Sequence, residues 1–303
     1  MRMGALTVVA HPNEHLMIGA RLIRAGKLSS GDVVRVLQFQ REHRLRFGEA
    51  AVRMGLVSAA DMHFVLSRQF DYSYLRATDG HCHTNHELIA AYQPFSPRVD
   101  QFKAIRSQLM LRWFQKSDNG NVITVVGAER GEGRSYLAAN LAVVFSQAGA
   151  NTLLIDADLR APRQSTLFGL DNKIGLSTLL AGHTSDEAII RVSDLEGLFV
   201  LPSGPLPPNP LELLSRPALA NCLAKARSSF DLVIIDTPAI STSEDAVLTS
   251  VRAGAALTVA RSNYTRLPAF THMVRQLTQS GVSVIGSILN DNPPAKVAAP
   301  APA

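Results

Sequence analysis

Residues 122–149 read VITVVGAERGEGRSYLAANLAVVFSQAG, and this stretch decides the fold. The apolar run at its start predicts a strand, and a glycine-rich turn leads from the strand into a predicted helix. Such a turn lets backbone N–H groups approach phosphate oxygens closely, and the helix N-terminus adds a favourable dipole. The stretch is typical of a phosphate-binding unit, although a glycine-rich turn without a ligand is the alternative at this point.

Further apolar runs follow along the chain and alternate with helical stretches. They read TLLIDADL, LFVLP, DLVIIDTP, AALTVA and VIGSILN. Continuous aliphatic strands separated by helices indicate a parallel sheet that is covered on both faces. The sequence therefore predicts an α/β fold like that of the P-loop NTPases, preceded by a small all-helical domain.

The loop departs at two positions from the usual phosphate-binding motif, G-x-x-x-x-G-K-[ST]. In the best alignment Ala128 replaces the first glycine and Arg134 replaces the lysine, whereas Gly133 and Ser135 match. Arginine is planar, always ionised and contacts phosphate through a fork. We expect Arg134 to neutralise the outer phosphates of a nucleotide, and we expect Arg134→Lys to retain nucleotide binding.

Carboxylates follow two of the predicted strands. Asp156 and Asp158 come after the run TLLI, and Asp236 comes after LVII. Ligands of open α/β sheets bind at the edge where the strands have their carboxyl ends. A magnesium ion with a triphosphate needs hydroxyl or carboxylate oxygens there, together with a cation against the phosphates. The predicted oxygens belong to Ser135 and the three aspartates, and the predicted cation is Arg134.

The segments GEGRSYLAANLA, LLIDADLRAPRQSTLFGL, LPSGPLPPNPLELL and DLVIIDTP together resemble the bacterial tyrosine autokinases (BY-kinases) of exopolysaccharide synthesis. The nearest type is the free-standing EpsG-like chain length determinant protein tyrosine kinase. The resemblance implies ATP and Mg²⁺ as cofactors, tyrosine phosphorylation as the reaction, and control of polysaccharide chain length, polymerisation and export. The resemblance implies that the first Walker motif and the residue after it bind the nucleotide: Gly131, Glu132, Gly133, Arg134, Ser135 and Tyr136. It implies Asp156 and Asp158 as the additional aspartate motif and Asp236 as the second Walker motif. The implied magnesium ligands are Ser135, Asp156 and Asp236, and Asn290 is the implied adenine contact.

The chain also departs from that family. Its usual E-x-x-R-x-x-R motif, linked to ring assembly, reads Asp100-x-x-Lys103-x-x-Arg106 here, and we expect a homo-oligomer. The family's tyrosine cluster is missing, since the last tyrosine is Tyr264. Another tyrosine as acceptor, a partner as substrate, and lost kinase activity stay open, and a non-catalytic nucleotide-gated scaffold is the alternative function. A partition-type ATPase is less favoured, because Glu129 stands where it carries an extra lysine.

The first 70 residues contain an internal repeat. A shift of 29 residues superimposes Gly19, Gly26, Ser29, Asp32 and Gln40 on Gly48, Gly55, Ser58, Asp61 and Gln69. Each copy predicts a short helix that ends near a glycine, followed by a helix capped by the serine. The segment resembles the MshEN-type domain, which implies cyclic di-GMP binding. The candidate contacts are Arg46, Gly48, Gly19, Gly55 and Gln69.

Charge agrees with an anionic ligand for this repeat. The chain has 30 basic and 25 acidic residues, and the excess of five lies within residues 1–70, which carry ten basic and five acidic residues. A basic segment beside a neutral remainder favours a negatively charged partner, and we expect no nucleic acid. A helical domain that only docks a protein partner is the alternative.

The predicted organisation is a helical repeat domain over 1–70, a linker over 71–97, a P-loop kinase domain over 98–292 and a Pro/Ala tail over 293–303. No run approaches 20 apolar residues and no secretory signal is evident, so we expect a cytoplasmic protein. Membrane association would then need a membrane-embedded adaptor of the chain-length-determinant family. The cluster of His81, Cys82, His83 and His86 fits a polar loop better than a zinc site.

Overall fold

The computed structural model describes residues 18–20, 22–23, 26–58, 61–62, 84–114, 120–183 and 186–291. The chain divides into two compact units, residues 1–73 and 74–303. Each unit has its own hydrophobic core. Within the described ranges, no helix combines the length and the apolar character that are needed to cross a membrane.

The first unit is helical. Residues 18–20 and 22–23 are helical and are followed by α1, Ser30–His43, and α2, Phe47–Arg53. The side chains of Leu22, Val36 and Phe47 are at most 1% exposed and form the centre of its core.

The two copies of the repeat share their local geometry. Gly26 and Gly55 both have φ of +66°, a conformation that glycine adopts without a steric penalty. Ser29 caps α1: its hydroxyl accepts the Asp32 N–H at 3.1 Å, and the Asp32 carboxylate accepts the Ser29 N–H at 3.0 Å. Ser58 and Asp61 form the same pair of hydrogen bonds, at 3.0 and 3.3 Å. The predicted glycine turns and the cap at Ser29 are confirmed, whereas Gln69 lies outside the described residues.

The second unit contains a seven-stranded sheet with strand order β3-β4-β2-β5-β1-β6-β7. The strands are β1 Val122–Gly127, β2 Thr152–Asp156, β3 Ile190–Arg191, β4 Leu198–Leu201, β5 Leu232–Asp236, β6 Ala255–Arg261 and β7 Ser283–Asn290. All neighbouring strands are parallel except β3 and β4. The predicted parallel sheet is confirmed, with a short antiparallel strand added at one edge.

Helices cover both faces of this sheet. They are α3 Ile89–Tyr92, α4 Pro97–Leu109, α5 Arg134–Ser146, α6 Gln164–Phe168, α7 Leu176–Leu180, α8 Pro210–Ser215, α9 Pro217–Ser229, α10 Asp245–Ala253 and α11 Leu267–Gln279. Alternate residues of a strand point to opposite faces, so Leu154 belongs to the core under α5, and Leu153 and Ile155 belong to the core under α7 and α9. The predicted cover on both faces is confirmed.

Residues 84–97 do not form a linker, so the predicted linker over 71–97 is wrong in this part. They contain α3, and the Ala90 backbone is held by the side chains of Asn140, in α5, and Gln147, the residue that follows α5. The Ala90 N–H donates to Asn140 Oδ1 at 2.9 Å, and Gln147 Nε2 donates to Ala90 O at 2.9 Å. A helix of four residues is too short to show the 3.6-residue periodicity from which helices are predicted. His81, Cys82 and His83 lie outside the described residues.

Candidate nucleotide-binding site

Parallel strands bring the predicted site residues to one edge of the sheet. The strands β1, β2 and β5 are neighbours, and Asp236 is in register with both Val125 and Asp156. Residues 128–133 connect β1 to α5 at this edge. The glycine-rich loop and two of the three predicted carboxylates therefore lie side by side, as the sequence predicted from strand ends.

The loop uses glycine where its backbone requires it. Gly131 and Gly133 have φ of +79° and +96°, which side chains other than glycine rarely adopt. Gly133 is the N-cap of α5, so the first backbone N–H groups of that helix lie at the end of the loop. Ala128 is not among the residues with positive φ, and this explains why alanine is accepted at the first position of the motif.

Arg134 is folded back against the loop. Its side chain is 8% exposed, Nε donates to Thr237 O at 3.0 Å, and Nη1 donates to Glu129 O at 2.6 Å. The same nitrogen lies 4.0 Å from Glu132 Oε2. Two of its five donors are thereby engaged by backbone carbonyls, and the guanidinium stays at the base of the loop.

Asp156 is fully buried at the carboxyl end of β2. Its Oδ2 accepts the N–H groups of Arg163 and Gln164 at 3.0 and 2.9 Å, and its Oδ1 accepts the N–H of Asp158 at 3.2 Å. Burial and, next, the charge of Asp236 raise the pKa of Asp156 well above its usual value. A carboxylate in this position is stabilised most effectively by a nearby cation.

Asp236 is the second fully buried carboxylate. Its Oδ2 accepts a hydrogen bond from Gln164 Nε2 at 2.8 Å, and its Oδ1 has no hydrogen-bond partner in the described part of the chain. Burial raises the pKa of Asp236 to about 6, although Ser135, Gln164 and Arg134 act in the opposite direction. A buried carboxylate oxygen without a partner, next to a hydroxyl and a second carboxylate, fits the oxygen ligands that Mg²⁺ prefers.

Asp158 stabilises the turn after β2. Its Oδ1 accepts the N–H groups of Arg160 and Ala161 at 3.2 and 2.9 Å, and its side chain is buried. Asp158 lies at the same edge as the other two aspartates, and its contacts show a role in shaping the loop that carries Arg160 and Arg163.

Sequence reasoning missed two residues of this edge. Gln164 Nε2 donates to both Asp236 Oδ2, at 2.8 Å, and Ser135 O, at 3.2 Å. Asp245, fully buried at the start of α10, accepts a hydrogen bond from Arg160 Nε at 2.8 Å. A polar residue at a helix start is ordinarily read as a cap, and only the fold shows that these two contact the loop and its neighbours.

A cavity of about 590 Å³ adjoins the loop between α4 and β7. Asn290, at the end of β7, donates from Nδ2 to Glu132 O at 2.9 Å. Tyr136 lines the cavity and packs edge-on against Phe102 with ring centroids 5.8 Å apart. Burial raises the pKa of Tyr136, so its hydroxyl stays protonated at neutral pH. The predicted residues Gly133, Tyr136 and Asn290 thus meet at one cavity beside the phosphate-binding loop.

The candidate cyclic di-GMP contacts of the first unit differ in exposure. Arg46 is exposed at the start of α2, where its N–H donates to Glu49 Oε2 at 3.2 Å. Gly19 and Gly48 lie against neighbouring side chains, since a Cβ would be 3.3 Å from Val33 Cγ1 and 2.7 Å from Met62 Cε respectively. Close packing accounts for these two glycines without a ligand.

A parallel sheet with a glycine-rich loop, a helix beginning at Gly133 and two buried aspartates on neighbouring strands defines a P-loop nucleotide-binding unit. Residues 120–258 match the family model described as AAA domain. The chain is 37% identical over 203 residues to tyrosine-protein kinase YwqD of Bacillus subtilis, covering 67% of this chain and 85% of YwqD. It belongs to the bacterial tyrosine-protein kinase family.

Two further comparisons agree with this family. The kinase domain of Escherichia coli tyrosine kinase ETK has a similar structure, with a TM-score of 0.66 and 30% identity over 71% of this chain and 84% of that domain. EpsB of Ralstonia solanacearum is 35% identical over 204 residues, which are 67% of this chain. The chain spans only 27% of the length of EpsB.

Proposed function

We propose that the second unit binds ATP with Mg²⁺ and transfers the terminal phosphoryl group to protein tyrosines. The observation that carries this proposal is the pair of buried carboxylates beside the loop, where Asp236 Oδ1 accepts no hydrogen bond from any residue that the structure describes. Membership of the tyrosine-protein kinase family supports the choice of acceptor.

The proposed roles follow from position. Ser135, Asp156 and Asp236 would hold Mg²⁺, which supplies charge neutralisation between the outer phosphates. Arg134 and the N–H groups at Gly131 and Gly133 would bind the phosphate oxygens. Because phosphoryl transfer depends chiefly on positioning and charge, residues that fix Asp236 and Arg134 affect its rate directly.

The cavity between α4 and β7 is the proposed site of the adenine base. It lies beside Gly133, so a base there is continuous with phosphates in the loop. The aromatic face of Tyr136 and the amide of Asn290 supply stacking and hydrogen-bonding groups for a flat heterocycle. Glu132 contributes its backbone carbonyl, which holds the Asn290 amide at 2.9 Å.

We further propose that the protein is cytoplasmic and controls the chain length and export of an exopolysaccharide through a membrane-embedded adaptor. Self-association through α4 is part of this proposal. Asp100 and Lys103 form an ion pair of 3.1 Å, and Arg106 donates to Val144 O at 2.7 Å. Lys103 Nζ also donates to Pro94 O at 2.6 Å, so Lys103 and Arg106 are both engaged within one chain. The exposed carboxylate of Asp100 is then the group of this motif that a neighbouring copy would contact.

The helical repeat unit is proposed to bind cyclic di-GMP, with Arg46 on one phosphodiester. In the full chain, Arg46→Ala should weaken binding by about 1.5–3 kcal/mol, roughly 10- to 150-fold, the scale of a hydrogen bond to a charged group. Arg41→Ala, which removes an exposed charge of α1, is the matched control. Equal weakening by both variants in titration calorimetry would indicate nonspecific charge, and no binding by the unchanged chain would leave a protein-docking unit.

The test of the kinase proposal is incorporation of phosphate from labelled ATP and Mg²⁺, with and without the adaptor's cytoplasmic segment, followed by detection of phosphotyrosine. Asp236→Asn should abolish the label, whereas Asp171→Asn, at an exposed carboxylate of the same unit, should not. Phosphotyrosine in the Asp236→Asn variant would contradict the assignment of the site.

A nucleotide-gated scaffold without catalysis is the second candidate. It is favoured by the engagement of Arg134 with Thr237 O and Glu129 O, which holds the guanidinium at the base of the loop. Tight ATP binding without any phosphotyrosine, in either assay condition, would select this candidate over the kinase.

A further inference from the structure

Glu132 is an acid within the phosphate-binding loop, and its side chain is fully buried. Its Oε1 accepts a hydrogen bond from the Thr265 hydroxyl at 2.6 Å. Its Oε2 is buried and forms no hydrogen bond with any described residue. A buried carboxylate is costly unless a counter-charge compensates it, so a cation close to Oε2 stabilises its ionised form.

Arg134 supplies this counter-charge. Its Nη1 lies 4.0 Å from Glu132 Oε2, and neither side chain is more than 8% exposed. In the described part of the chain, no other cation lies within 4.0 Å of this carboxylate. The nearby Arg261 directs Nη1 to Gly131 O, at 3.1 Å. The residue that departs most from the phosphate-binding motif is thus paired with an acid two positions before it.

Gly127 makes room for the pair. A Cβ at this position would collide with Glu132 Oε2 and would lie 3.1 Å from both Cδ and Nη1 of Arg134. Gly127 is in a strand and does not have positive φ, so its backbone conformation alone does not require glycine. The side chains of Glu132 and Arg134 therefore occupy the space, at the end of β1, that any side chain at position 127 would need.

We propose that Glu132 is a positioning residue that holds the Arg134 guanidinium at the base of the loop, so that the pair replaces the single lysine of the usual motif. The inference rests on the proposed nucleotide site. Arginine can keep Nε on Thr237 O and Nη1 near Glu132 while its remaining N–H groups reach a phosphate. A lysine has one compact ammonium, and a buried carboxylate beside it would compete with the phosphate for that charge.

The Glu132–Arg134 pair alters the nucleotide affinity expected for Arg134→Lys. From the sequence, lysine should retain nucleotide binding, because it is the usual residue of the motif. With Glu132 in place we expect instead that Arg134→Lys weakens ATP·Mg binding about tenfold, the scale of one hydrogen bond to a charged group. In a chain that also carries Glu132→Gln, the same replacement should weaken binding less than about threefold, because the competing charge is gone.

The experiment measures the Kd of a fluorescent ATP analogue with Mg²⁺ for four full-length chains: unchanged, Arg134→Lys, Glu132→Gln, and both together. An equal loss on Arg134→Lys in both backgrounds would overturn the inference while leaving the nucleotide site intact. Absence of binding by the unchanged chain would overturn the proposed function as well. Unfolding temperatures measured in parallel separate an effect on affinity from an effect on folding.

A second measurement does not depend on nucleotide. Gly127→Ala should lower the unfolding temperature of the chain, and Glu132→Ala in the same chain should recover part of this loss because the colliding carboxylate is removed. Gly286→Ala is the matched control, since its Cβ would make an ordinary contact of 3.5 Å with Leu257 Cδ1. Identical losses on Gly127→Ala with and without Glu132 would show that the two positions do not share space, and would overturn the pairing.

Discussion

Replacing Asp236 by asparagine should stabilise the protein without nucleotide and destroy its function. The fold raises the pKa of this carboxyl from 3.8 to about 6, so the ionised form is disfavoured in the folded chain. Above pH 6 the group is ionised in both states, and the shift of about two units corresponds to about 3 kcal/mol of lost stability. Well below pH 3.8 it is protonated in both states, and nothing is lost. Ionisation of this group therefore lowers the free energy of unfolding of the wild-type chain as pH rises from about 4 to 6.

Asparagine has nearly the same shape and can still accept the hydrogen bond from Gln164. Asp236→Asn should therefore raise the free energy of unfolding by about 3 kcal/mol at pH 8 and by about half as much at pH 5. The chain has one tryptophan, Trp113, which packs against the core of the second unit, so its fluorescence during urea unfolding reports on that unit. Asp194→Asn, at an exposed carboxylate, is the control. A variant no more stable than wild type at pH 8, or equally stabilised at both pH values, would refute the reasoning.

Two other substitutions test how the site is held together. Gln164→Ala removes a hydrogen bond that lowers the pKa of Asp236, so the pKa of Asp236 should rise above 6. The pH at which Mg²⁺-dependent ATP binding is half lost should rise with it, and nucleotide titrations over a pH series measure this midpoint. Unchanged pH dependence would mean that Asp236 does not hold the metal ion. Gly133→Ala places a Cβ on a residue with φ of +96° and against the Asn290 amide, so nucleotide affinity should fall at least tenfold, with a strain of about 1–3 kcal/mol visible in urea unfolding. Wild-type affinity would show that the loop conformation is not required for binding.

The sequence predicts much of this fold because its strands are buried on both faces. The first four residues of β5, LVII, are all apolar and buried, and a continuous apolar run of this kind is recognisable in the sequence. Strand β3 has only two residues and α3 has four, so neither is long enough to show a period. Local patterning therefore gives the parallel sheet but not the elements at its margins.

The part of the site that lies at strand ends can also be predicted from the sequence. Asp156 and Asp236 follow apolar strands, and parallel pairing alone brings them together. Gln164 meets Asp236 across 72 positions and Arg160 meets Asp245 across 85, and no local pattern encodes such contacts. The side-chain role of Glu132 was also hidden, because a loop position is ordinarily read as exposed.

The attachment of residues 84–97 to α5 sets a practical limit on how the kinase unit can be isolated. A protein trimmed to begin at residue 98, the start of the kinase domain predicted from the sequence, would lose the Ala90 backbone groups that are hydrogen-bonded to the amides of Asn140 and Gln147. Each buried amide without its partner costs about 1–3 kcal/mol. Asn140 lies in α5 and Gln147 caps its C-terminus, and the first turn of this helix follows the phosphate-binding loop. Activity measured on such a fragment would be that of a protein with a destabilised α5. A fragment that begins before Asn85 would keep the native contacts of this helix.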